Sequence, residues 1–126
     1  MITKRLKDFL NEINQNLDWT LLVIEIELQP AYFGVSGYCI IENKNEISLR
    51  TRTTDDFDNL IKDFHLRSSD SFNKWNKIKY SIDKVGNEYL SLIWDEVWQK
   101  EIDSQNRKVK EQNPEYNLPK WHWEKS

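Results

Sequence analysis

The sequence has little of what most active sites are built from. Its 126 residues include one cysteine (Cys39), two histidines (His65 and His122), three glycines and three prolines. A single cysteine excludes an internal disulfide and suits a reducing compartment. Neither histidine has a second His, Cys or carboxylate at metal-ligand spacing, so no zinc centre is expected. Glycines at 34, 37 and 86 do not form a phosphate-cradling loop, and there is no Gly-X-Ser-X-Gly elbow. No apolar run approaches the ~20 residues that cross a bilayer. The charged N-terminus, Met1 to Asp8, has no apolar core followed by small residues, as a signal peptide would. Positive charge is not in excess either. Eighteen basic residues stand against 21 acidic ones, a net charge of −3, interleaved along the chain. The basic stripe of a dedicated nucleic-acid binder is missing. The expectation is a cytoplasmic protein forming one domain over residues 1–126, with no cofactor, no metal, no membrane contact and no direct nucleic-acid partner.

What the sequence does have is aromatic bulk: six Trp, five Tyr and five Phe. Large apolar bodies in a chain of mean hydropathy −0.80 argue for a core beneath a wet surface, and against disorder. Ile2, Leu6, Phe9, Leu10, Ile13 and Leu17 make one helical stripe. From Trp19 to Leu28 the period becomes two, with Leu22, Ile24, Ile26 and Leu28 on one face. Residues 32–42 read as a second strand, in which Gly34 and Gly37 suggest a bulge or a close backbone approach. Asn43-Lys44-Asn45 is turn chemistry, and 46–52 a short third strand, giving an antiparallel meander.

Thr53 or Thr54 caps a middle helix carrying Phe57, Leu60, Ile61 and Phe64. Residues 75–83 alternate again, with Ile78, Tyr80 and Ile82 on one face. A turn at 84–87 leads into 88–95, with Leu90, Leu92 and Trp94 expected inward. A third helix follows, carrying Trp98, Ile102, Gln105 and Val109 along one side, and Asn113-Pro114 stops it. Residues 113–126 hold Tyr116, Trp121 and Trp123, too aromatic for a free tail, so the tail is expected to dock. The fold class predicted is α+β: one antiparallel sheet of about five strands, packed with N-terminal, middle and C-terminal helices.

Candidates for chemistry are few. His65 falls at the end of the middle helix, where the backbone dipole favours an imidazolium. In Trp121-His122-Trp123, alternation would put both indoles on one side and the imidazole on the other. Cys39, mid-strand with no cation nearby in sequence, reads as a core residue. Glu25 and Glu27 lie about 7 Å apart on one strand face, a spacing that suits an acid–base pair but equally ordinary solvent exposure. A row of indoles can stack on bases or sugars, or fill the space between sheet and helices. The clearest cluster of one sign is acidic: Asp55, Asp56 and Asp58, followed by Asp63 and Asp70. Such a cluster complements a helix dipole and also attracts a basic partner.

The second half carries a family likeness. Trp75-Asn76, Tyr80, the Gly86-Asn87 turn, Tyr89 through Trp94-Asp95-Glu96, a polar helix and a terminal Pro119-Lys120-Trp121 resemble the YezG-like family of small bacterial antitoxin and immunity proteins. The order of elements upstream, including Trp19 opening a strand, is similar too. The resemblance implies a stoichiometric inhibitor with no catalytic residues, and a cognate toxin domain, often a nuclease, as partner. A nuclease needs a basic cleft to hold phosphate, which an acidic inhibitor complements. The candidate partner-binding residues are Asp55, Asp56, Asp58, Asp95 and Glu96. The alternative function is a nucleic-acid or carbohydrate binding module that uses exposed aromatics.

Overall fold

Leu22, Ile24, Ile26 and Leu28 recur at every second position of β1 (Trp19–Leu28), and all four are buried. Such a row needs a neighbour on each side and a lid above. In the computed structural model, which describes residues 2–13, 18–30, 33–41 and 46–124, it has both. β2 (Phe33–Ile41) and β4 (Lys77–Asp83) flank β1, while β3 (Glu46–Leu49) and β5 (Glu88–Ile93) complete a five-stranded sheet of order β3-β2-β1-β4-β5. Every pairing is antiparallel. The register sets Ile24 between Gly37 and Tyr80, and Leu22 between Cys39 and Ile82, so the apolar rows of neighbouring strands share one face.

Helices cover that face. α1 (Ile2–Ile13) buries Leu6, Phe9 and Leu10, and α2 (Asp55–Ser68) buries Phe57, Ile61 and His65. Phe9 and Phe57 stack with ring centroids 4.4 Å apart, joining the two helices over the sheet. Burial of each large aliphatic side chain contributes about 1.5–3 kcal/mol, so this two-layer core holds most of the fold together. α2 begins where the sequence signalled: Thr54 is the cap, and its hydroxyl accepts from the Phe57 amide at 3.2 Å. α3 (Glu96–Gln112) is capped by Asp95 and buries only Ile102, while Val109 on the expected stripe is 43% exposed. The C-terminal segment docks: Trp121 is buried in the main core, and a short 3-10 turn follows at His122–Glu124.

The α+β class, the single antiparallel sheet and the three helices are as expected from the sequence. Several details differ. β3 ends at Leu49, short of residue 52, and Thr51 instead donates its hydroxyl to the Val35 carbonyl at 2.9 Å. The strand irregularity lies between Trp19 and Leu21, not at a glycine. Gly37 does mark a close approach, since a Cβ there would meet a methyl group of Thr51 at 3.1 Å, whereas Gly34 faces open space. Leu90 and Leu92 pair with Tyr80 and Ile78 and so point to the helical face. Yet they are 38% and 40% exposed, because β5 is the edge strand and neither α1 nor α2 reaches over it. Trp94 lies beyond the end of β5 and is half-buried. Leu17 of the α1 stripe, Tyr32 and Glu42 at the ends of the second predicted strand, and the turn at 43–45 lie outside the described residues.

Candidate partner-binding surface

The acidic first turn of α2 follows from its cap. With Thr54 holding the Phe57 amide, Asp55, Asp56 and Asp58 fall in the first turn at the positive end of the helix dipole, while Phe57 between them turns into the core. Asp55 and Asp56 are exposed and, among the described residues, have neither an ion-pair nor a hydrogen-bond partner. Asp58 is half-buried. Its Oδ1 is shielded from water and unpartnered, at a hollow of about 180 Å³ that Phe33, Val35, Thr51 and Lys62 also line. One turn on, Asp63 is matched by Arg67 at 2.7 Å, so the uncompensated charge is confined to the start of the helix.

Asp95 and Glu96 are placed differently. The Asp95 carboxylate accepts from the Trp98 amide at 2.9 Å as the α3 cap and pairs with Lys77 Nζ at 2.9 Å. The amide bond from Trp98, reinforced by the Lys77 ammonium, holds its carboxyl below the ordinary 3.8. Its backbone is gripped as well: the buried Asn76 amide accepts from Asp95 N at 2.7 Å and donates to Asp95 O at 3.0 Å. Glu96 accepts from Trp94 Nε1 at 3.0 Å. These two carboxylates serve the junction of β5 and α3. The structure does not bring them together with Asp55, Asp56 and Asp58: one group follows edge strand β3 in the chain, the other edge strand β5 on the far side of the sheet. The acidic surface open to a partner therefore reduces to the α2 start.

The histidines, aromatics and paired glutamates have structural settings. His65 is 6% exposed, with Nε2 2.9 Å from the Trp75 carbonyl and its ring 4.5 Å from Trp75 and 5.1 Å from Trp121. Burial pushes its pKa below 6.5; the Trp75 carbonyl opposes that and neighbouring His122 adds to it. The imidazolium expected from the helix dipole is thus overridden by desolvation. Trp121 and Trp123 do stack, at 5.0 Å and 11°, but the 3-10 turn keeps His122 on the same side, 5.4 Å from His65. His122 Nε2 lies 2.9 Å from Ser69 Oγ, and that hydroxyl donates to the His65 carbonyl at 2.5 Å. With the serine proton so used, the imidazole is the donor, the reverse of a nucleophile–base pair.

Cys39 is fully buried, as expected of a core residue, and burial raises its thiol pKa. Glu25 lies 4.0 Å from Lys79 across β1 and β4, and Glu27 borders an open hollow shared with Gly34, Ser36 and Trp98 of α3, so the two glutamates do not line a closed pocket. Trp75 and Trp121 are buried and Trp19, Trp94, Trp98 and Trp123 half-buried, whereas Phe72 and Tyr89 are exposed. Among the described residues no group of three or more His, Cys, Asp or Glu could hold a metal ion, and no helix is long and apolar enough to cross a membrane.

Sequence reasoning missed two features. One is the set of paired hydrogen bonds from Asn76, for which a buried Asn in a strand-entry position gives no periodic signal. The other is the exposed edge at β5, since alternation reports a side chain's face and not whether anything covers it. Compared with known proteins, the chain matches no protein-family model and no curated protein.

Proposed function

We propose that this protein is an immunity protein, which binds a cognate bacterial toxin domain and neutralises it by stoichiometric association. The observation that carries the reading is the exposed pair Asp55 and Asp56, without an ion-pair partner among the described residues, with half-buried Asp58 beside them on the first turn of α2. Fixed carboxylates on a capped helix cost little to order on binding, and their field steers a basic surface into contact. A nuclease toxin presents such a surface where it holds phosphate. The likeness of the Trp75–Glu96 segment to YezG-like immunity proteins supports the same class. No catalytic residue, cofactor or metal enters this function, and the setting it implies is the cytoplasm.

Co-expression tests it. The C-terminal domain of the protein encoded immediately upstream is expressed in a bacterial host with and without this chain. The expected result is growth arrest by the domain alone, rescue by co-expression, and co-purification of the two. A toxic domain that is neither rescued nor co-purified would remove that pairing and favour the binding-module alternative. Quenching of tryptophan fluorescence by oligonucleotides or oligosaccharides would then report a stacking site directly.

A further inference from the structure

Ten large hydrophobic side chains are exposed among the described residues, and six of them fall within thirteen positions: Val85, Tyr89, Leu90, Leu92, Ile93 and Val97. These six lie along β5 and its two ends. β5 is also a free sheet edge, with β4 on one side only. Free edges are normally blunted by lysine, proline, a bulge or brevity. β5 has none of these devices: Glu88 is its one charged residue, and that carboxylate already accepts from the Tyr80 hydroxyl.

The phase of the ladder shows which backbone groups are free. Asp83 N donates to Asn87 O at 3.0 Å, and Asn76 N donates to Ile93 O at 2.9 Å. Since bonding alternates along an antiparallel strand, Tyr89, Ser91 and Ile93 turn their backbone groups to β4. The N–H and C=O of Glu88, Leu90 and Leu92 therefore point away from the sheet.

We propose that this edge pairs with the same edge of a second copy, the two β5 strands running antiparallel about a twofold axis at Ser91 to make one continuous ten-stranded sheet. In this register Leu90 of each copy exchanges hydrogen bonds with Leu92 of the other, and both leucines project from the helical face. Tyr89 meets Ile93 on the opposite face, and the two Ser91 residues meet on the axis. The charge pattern selects this occupant. From Tyr89 to Ile93 there is no charge, so a second copy brings no like charges into opposition, and Glu88 falls opposite Trp94. Val85 and Val97 stand six residues either side of Ser91, 87% and 70% exposed, and the same axis carries each towards the other in the second copy. A closed pair of this kind is isologous and removes both free β5 edges at once. The inference is independent of toxin binding, because α2 lies beyond the opposite edge strand in the chain.

The test uses the whole chain and the axial serine. Opposed residues that do not bond to each other have Cα atoms about 4.5 Å apart, within disulfide reach. Ser91→Cys is expected to form a covalent dimer in oxidising buffer, while Cys39, fully buried, does not compete. Ser48→Cys, exposed on edge strand β3, is expected to link far more slowly. In sedimentation velocity the unmodified chain is expected to reach twice its 15.3 kDa mass as concentration rises from about 1 to about 300 µM, the span of micromolar affinities. Ser91→Lys, which opposes two ammonium groups on the axis, is expected to stay at single-chain mass. Four results would each overturn the proposal: a single-chain mass throughout with no covalent dimer of Ser91→Cys, a dimer that survives Ser91→Lys, equally fast linking of Ser48→Cys, or open polymers in place of a closed pair.

Discussion

At the scale of single residues, His65 shows desolvation outweighing a favourable dipole. Its imidazole sits between Trp75 and Trp121 at the foot of a hollow of about 290 Å³, whose charged lining is cationic, from Lys62 and Lys120. No carboxylate faces the ring there, and the nearest titratable group is His122 from the tail. The folded protein therefore binds a proton at His65 less readily than the unfolded chain, whose value is near 6.5. A base whose pKa falls on folding contributes stability that is present above the unfolded value and lost as pH falls below it. The melting temperature is expected to fall between pH 7.5 and pH 5, with a slope of at most about 1.4 kcal/mol per pH unit, the limit for one proton. Asp83 and Asp95, whose carboxyls are held below 3.8 by hydrogen bonds, add their own loss at more acid pH. His65→Gln is expected to be less stable at pH 7.5 and nearly flat from there to pH 5. Thermal melts across that range decide it: an unchanged slope in the variant would assign the proton elsewhere.

At the scale of elements, the two β2 glycines were indistinguishable in sequence and differ in what stands above them. A Cβ on Gly37 would meet the side chains of Thr51 at 3.1 Å and Ile13 at 3.3 Å, so α1 and the segment after β3 pack down onto that backbone. Gly34 has nothing within 4 Å. Valine at 37 is expected to destabilise by about 1–3 kcal/mol, the usual cost of overpacking. Valine at 34 is expected to be neutral or stabilising by up to about 1 kcal/mol, because a strand glycine is replaced without a clash. Urea midpoints of the two variants give the comparison directly, and equal values would contradict the packing described. The same contrast explains what the sequence revealed. The period of two placed β1 and β4 correctly, since both of their neighbours are strands and helices cover them. It also placed Leu90 and Leu92 on the right face, but the missing lid over β5 is a property of where α1 and α2 end. The alternation in Trp121-His122-Trp123 misled, because a 3-10 turn there winds all three rings around His65.

At the scale of the whole molecule, charge does what no single pair can. The net charge of −3 is modest, and among the described residues four of the 21 acidic side chains are paired with a cation: Asp95 with Lys77, Asp63 with Arg67, Glu25 with Lys79 and Asp18 with Lys84. On sequence alone, five acidic residues on two rigid elements join into one face, but the sheet order divides them, leaving exposed Asp55 and Asp56 at the start of α2 without an ion-pair partner among the described residues. Steering by the field of such a pair alters association rates by about 10 to 10³-fold and fades with ionic strength. Asp55→Lys with Asp56→Lys reverses it without touching the half-buried Asp58. The fold should lose only about 0.3–1 kcal/mol at each site, from the helix dipole. Association with the proposed toxin partner, followed by stopped-flow at low and high salt, is expected to slow by about tenfold or more at low salt. The salt dependence should flatten, and dissociation should change far less, since exposed charges act mainly on encounter. Asp95→Asn is the contrasting variant: it removes a charge already paired with Lys77 and half of a helix cap, so it should lower the melting temperature and leave the association rate nearly untouched. Unchanged kinetics in the α2 variant would take this surface out of the interface, whereas slowed association in the Asp95 variant would put the β5–α3 junction into it.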